Sequence, residues 1–192
     1  IGNSGRKNKE RVMLEKLIEV DPLQPAAYRN LYIDCCELAA VAERYHPDDY
    51  EELEAKAIMY LTKGIDLLVK GLPGEKFLMD DGQTDQMLTI MIGTCSGGLD
   101  FLERCMRNQR GAGNVKLENI RQCLKSILQL FEERKQPTSK VHAILGFCCN
   151  KLTRYGEAIE QFQLCCEASQ NETDKYWYYL SLMQSPHLWN SL

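Results

Sequence analysis

Histidine and tryptophan are scarce in this 192-residue sequence, with three and two copies. His46, His142 and His187 lie in three different segments, which leaves little from which to assemble a histidine-dependent catalytic or metal centre. An excess of positive charge is also missing. The 23 Lys and Arg residues face 27 Asp and Glu, a formal net charge of −4, which disfavours a generally basic nucleic-acid binder but leaves room for a local basic face. No apolar run approaches the roughly 18 residues of a membrane span, so no membrane partner is expected. A basic stretch followed by an apolar core, the mark of a signal peptide, is absent. Alternating strand patterns and hairpin signals are essentially missing as well, which excludes a β fold.

Apolar residues, at 44%, are numerous enough to build a core, and charged residues, at 26%, give an ordinary solvated surface. The length suits one domain or a tight pair, and the expectation is a single domain over residues 1–192. The start, Ile-Gly-Asn-Ser-Gly, reads as part of a longer protein, with residues 1–6 as linker. Nine cysteines fall inside apolar helical patterns, and three pairs are adjacent in sequence: Cys35–Cys36, Cys148–Cys149 and Cys165–Cys166. Adjacent cysteines on a helix point apart. All nine are therefore expected to be reduced core residues of a cytoplasmic or nuclear protein. The sequon Asn171-Glu172-Thr173 is expected to be unused.

The apolar spacing is helical almost throughout. A first segment runs from about Lys7 to Val20 and ends at Asp21-Pro22. A second carries Tyr28, Leu31, Tyr32, Cys35, Leu38 and Ala42 and stops at His46-Pro47. Asp48 and Asp49 open a third, as acidic residues favour helix N-termini; it ends near Gly71-Leu72-Pro73-Gly74. A polar loop, Glu75 to about Gln83, precedes a fourth helix from about Thr84 to Asn108. There Gly97-Gly98 would either bend the helix or admit a close neighbour. After a turn at Arg110–Asn114, a fifth helix carries Leu117, Ile120, Leu124, Ile127 and Phe131 and ends at Pro137. Three shorter helices follow, at Ser139–Leu152, Gly156–Ser169 and Thr173–Gln184. The fold class is all-α: an antiparallel helix-hairpin repeat or bundle of about eight helices with extended middle helices.

Between Lys140 and Asn171 the order is Leu145-Gly146 in one helix, then Tyr155, Ala158, Phe162 and a small residue at Cys165. This segment resembles the tetratricopeptide repeat, whose first helix holds a Leu-Gly pair and whose second holds Ala-x-x-x-Phe. It departs from that pattern at His142 and Cys149, where Trp and Tyr are usual, and lacks the closing Pro. A weaker likeness begins at Asp21-Pro22 and includes Tyr28, Leu31 and Cys35, with Tyr32 in place of the Gly. The resemblance implies a right-handed stack of helix hairpins with a concave face that binds peptides or proteins and carries no chemistry of its own. Some members of that family grip C-terminal carboxylates with Lys, Asn and Arg. Arg29 and Asn30 fall in a fitting helix, but Ala143 and Phe147 occupy the matching later places, so such a clamp is not expected.

No catalytic, cofactor or metal site is expected. Cys149 and His142 share a helical face but stand about two turns, roughly 10 Å, apart. Cysteines 148, 149, 165 and 166 lack Cys-x-x-Cys spacing. Asp80, Asp81 and Asp85 with Gly82 lack the distal Glu of a calcium loop. The candidate partner-binding residues are of two kinds. Arg104, Arg107 and Arg110, with Lys116, Arg121 and Lys125 beyond the turn, form the one basic cluster, suited to an acidic partner. Tyr176, Trp177, Tyr178 and Tyr179 form an aromatic run, of which Tyr176, Trp177 and Tyr179 are the expected anchors, with Trp189 nearby. The expected function is an intracellular, non-enzymatic scaffold that binds a protein or peptide. The alternative, an RNA- or other nucleic-acid-binding helical repeat, would show a steep salt dependence.

Overall fold

Asp21 turns the chain after the first helix. Its Oδ1 accepts the Leu23 backbone N–H at 3.1 Å and its Oδ2 accepts Gln24 Nε2 at 2.6 Å. The Gln24 carbonyl then takes the N–H groups of Ala27 and Tyr28. Pro25 opens the next helix, where a missing N–H costs nothing. Proline also starts the third helix, at Pro47, with Asp48 and Asp49 in its first turn. A computed structural model describes residues 2–45, 47–70, 81–107 and 114–169. Among these there are seven helices and no strand: α1 (Gly2–Val20), α2 (Pro25–Tyr45), α3 (Pro47–Val69), α4 (Asp81–Arg107), α5 (Asn114–Glu133), α6 (Ser139–Lys151) and α7 (Tyr155–Ala168). The expected eighth helix, Thr173–Gln184, lies outside the described residues.

The chain divides into two compact units, residues 1–96 and 97–192, and the division falls within α4. In the first unit α2 and α3 pack extensively, and α1 lies on α2. Leu31, Cys35, Ala57, Leu61, Ile65, Met91 and Cys95 are almost wholly buried there. At Gly64 helix α3 meets Tyr28 of α2 and Met91 of α4 closely. A Cβ at that position would stand 3.3 Å from Tyr28 Cβ and 3.2 Å from Met91 Cε. Arg29 on α2 donates from Nε to Thr94 Oγ1 on α4 at 2.8 Å. Helix α1 has half-buried Leu14 and Ile18 facing in, while Met13 and Val20 remain largely exposed.

In the second unit α5 packs on α6, and α6 on α7. The core holds Leu102, Ile120, Leu124, Ile127, Leu130, Leu145, Cys148 and Phe162. Only Leu152–Arg154 separates α6 from α7, so two helices in such contact must run antiparallel. Helices α5 and α6 both end by chain reversal through a left-handed residue, Lys135 (φ 52°) and Thr153 (φ 60°). In each case the next N–H reaches back five residues, Gln136 to Phe131 O and Arg154 to Cys149 O. These bonds satisfy carbonyls that a helix end leaves open. At Gly97, a Cβ would meet no neighbour within 4 Å, and α4 runs on unbroken. Close neighbours do stand at Gly64 and at Gly146, the latter as the Leu145-Gly146 spacing predicts.

Candidate interaction surfaces

Gly146 on α6 faces the Phe162 ring on α7, and a Cβ there would lie 2.7–2.9 Å from three ring atoms. The ring cannot retreat freely, because Phe162 is buried and Phe147 stands edge-on to it at 5.4 Å. Ala158 and Leu145 are buried beside this contact. His142, at the place where the tetratricopeptide pattern has Trp, is buried and holds Gln161 Oε1 at 2.9 Å from its Nδ1. The α6–α7 pair thus has the close-packed character expected from the Leu145-Gly146 and Ala158-x-x-x-Phe162 spacing.

The basic cluster resolves into unlike roles. Arg104 is exposed near the end of α4. Arg107, also exposed, forms an ion pair with Glu103 one turn before it. Lys116 is half-buried at the start of α5 and Lys125 is exposed further along. Arg110 lies outside the described residues. Arg121 points inward at 8% exposure. Its Nη1 meets Glu118 Oε1 at 2.7 Å and its Nη2 meets Glu157 Oε2 at 2.6 Å. Arg154 closes a ring, with Nη2 on Glu118 Oε2 at 3.1 Å and Nη1 on Glu157 Oε1 at 3.2 Å. Each carboxylate thus bridges both guanidiniums, and the four side chains tie α5 to the start of α7. The Arg121 hydrogen bond chiefly holds the Glu157 carboxyl below the ordinary glutamate range. The Cys149 thiol lies 4.0 Å from Glu157 Oε2 and its pKa is raised by burial.

The aromatic residues Tyr176, Trp177, Tyr178, Tyr179 and Trp189 all lie outside the described residues, as does Asp80. Among the described residues no group of three or more His, Cys, Asp or Glu side chains could hold a metal ion. No disulfide joins any of the nine cysteines; seven are buried, and Cys36 and Cys166 are half-buried. Burial pushes the Cys35 thiol up to about 11 and the Cys148 thiol up to about 12. Cys148 donates to the Leu117 carbonyl at 3.2 Å. No described helix is long and apolar enough to cross a membrane.

The first unit carries a feature that spacing along the chain does not reveal. A groove of about 440 Å³ opens where α1 and α3 flank α2. Its floor is apolar, from Cys35, Leu38, Val41 and Ala42 of α2 with Leu53 of α3. Glu15 stands on the α1 wall; Asp49, Glu52 and Lys56 stand on the α3 wall. On the other side of Arg11 a smaller cleft of about 230 Å³ is bordered by Glu10, Asp34 and Glu37. Sequence reasoning misses this surface because three helices contribute to it. The one available signal was Val41, an apolar residue beside the α2 stripe that remains 54% exposed. Comparison with protein-family models, curated proteins and solved structures gives no match to this chain.

Proposed function

We propose that this chain is a non-enzymatic protein-interaction module, a tetratricopeptide-like stack of helix hairpins that binds a peptide or protein partner inside the cell. The observation that carries the reading is the open groove on α1–α3, an apolar floor between charged walls with Val41 left 54% exposed. Burial of such a floor supplies affinity, and charged rims select the partner. The tight Gly146–Phe162 contact supports the repeat-like character of the α6–α7 pair. Arg104 and Arg107 supply exposed positive charge for an acidic segment of a partner.

Affinity capture with the whole chain, followed by kinetics with each purified partner, tests this reading. Reversal of both charges, Arg104→Glu with Arg107→Glu, should slow association and flatten its salt dependence, with little change in dissociation. Failure to recover any saturable protein partner would overturn the reading. A saturable nucleic-acid ligand with a steep salt dependence would replace it.

A further inference from the structure

The two clefts on the first unit share one electrostatic character. Six carboxylates border them, from Glu10, Glu15, Asp34, Glu37, Asp49 and Glu52, against two cations, Arg11 and Lys56. Both cations are engaged: Lys56 Nζ lies 2.7 Å from Glu52 Oε1, and Arg11 Nε lies 3.9 Å from Asp34 Oδ2. Glu15 and Asp49, on opposite walls of the larger groove, form no salt bridge among the described residues. Between them runs the apolar floor of Leu38, Val41 and Ala42. The groove volume lies within the range of about 300–1,000 Å³ typical of ligand sites. A helix-in-groove partner lays an apolar face on such a floor and sets its flanking charges against the walls. Acidic walls select flanking Lys or Arg and repel an acidic partner.

We infer that the α1–α3 groove binds a basic amphipathic helix of another protein, with its apolar face on Leu38, Val41 and Ala42 and its flanking cations against Glu15 and Asp49. This rests on the interaction-module reading and adds a partner of opposite charge to the one suited to Arg104 and Arg107. The probe is a fluorescein-labelled 18-residue peptide with leucine on one helical face and lysine on the other. Two controls have the same length: a scrambled Leu/Lys peptide, and one with glutamate in place of lysine. Fluorescence anisotropy with the whole chain should show the amphipathic Leu/Lys peptide binding about tenfold more tightly than its scramble, and the Leu/Glu peptide not binding. Cross-links from the bound probe should fall on α1–α3. Val41→Asp, and Glu15→Lys with Asp49→Lys, should each weaken binding about tenfold while helical circular dichroism is kept. These three positions are half-buried or exposed, so the variants should fold; Val41→Ser is the milder version if one does not.

Equal binding of the amphipathic and scrambled peptides, tighter binding of the Leu/Glu peptide, or unchanged binding by the folded variants would each overturn the inference. A concentration-dependent dimer abolished by Val41→Asp would put a second copy in the groove and overturn it too. If purified partners still bind the chain while the groove variants change nothing, the groove assignment fails and the interaction-module reading stands. If neither peptides nor proteins bind saturably, both fail.

Discussion

Gly146 shows how one missing methyl group positions a helix pair. Any side chain there must displace the Phe162 ring, which is buried at 1% exposure and braced by Phe147. Gly146→Leu should therefore destabilise the protein by about 1–3 kcal/mol through overpacking, measured as a lower midpoint of urea unfolding. A neutral result would remove the close contact from the account. Thr153 presents the opposite case. A β-branched residue held at φ 60° is strained, and glycine is the residue that suits this position at a helix end. Thr153→Gly should stabilise by about 1 kcal/mol, visible as a raised midpoint, because relief of strain exceeds the entropy glycine loses on folding.

At the scale of the element, the ring of Glu118, Arg121, Arg154 and Glu157 couples α5 to α7. Arg121 is its buried member. Its removal leaves two carboxylates facing a single half-exposed guanidinium. Arg121→Ala should cost roughly 2 kcal/mol, less than the 3–5 kcal/mol of a fully buried pair because both glutamates reach solvent. Arg121→Lys should restore little, since one ammonium cannot reproduce the fork that meets both carboxylates. The ring also sets an acid limit. The folded-state pKa of Glu157 lies below its unfolded value. Its stabilisation is thus complete above the ordinary glutamate range, near 4.3, and is lost as pH falls through the lower folded-state pKa. Glu157→Gln should lower stability at pH 7 and flatten the decline below about pH 4.5, in urea midpoints taken across pH. An unchanged acid slope would mean that the ring contributes nothing to acid stability.

At the scale of the molecule, the cysteines report on packing throughout the described residues. Seven are buried and two half-buried. A native thiol assay should label at most Cys36 and Cys166 rapidly, and all nine should react after unfolding. Burial raises the Cys35 and Cys148 pKa values from 9.0 to about 11 and about 12. The unfolded chain ionises these thiols first, so their contribution is whole below about pH 9 and is lost as pH rises toward the folded-state values. Unfolding midpoints should drop above pH 9, and Cys148→Ala should reduce that drop, even though the variant is less stable at neutral pH. Rapid native labelling of Cys148 would show that its surroundings are not closed.

The sequence by itself determined the all-helical character and most helix limits, because those rest on neighbours in the chain. Pro22, Pro47 and Pro137, together with apolar residues recurring every three or four positions, act over one or two turns. The ends expected for α6 and α7 accordingly lie within a residue of Ser139–Lys151 and Tyr155–Ala168. Helix α1 starts at Gly2, earlier than the expected Lys7, since its opening residues carry no apolar period to mark a boundary. The Gly146–Phe162 contact was legible for a related reason: a small residue facing a large one recurs with fixed spacing inside one short hairpin. The fate of Arg121 was not legible. It stands between Lys116 and Lys125 in a spaced basic cluster, and only folding brings Glu157, 36 positions away, within 2.6 Å. The α1–α3 groove was equally hidden, because Glu15, Val41 and Asp49 belong to three helices and share no local pattern. Local periodicity determines which face of a helix is apolar; tertiary packing alone decided which charges were turned inward and which apolar floor stayed open.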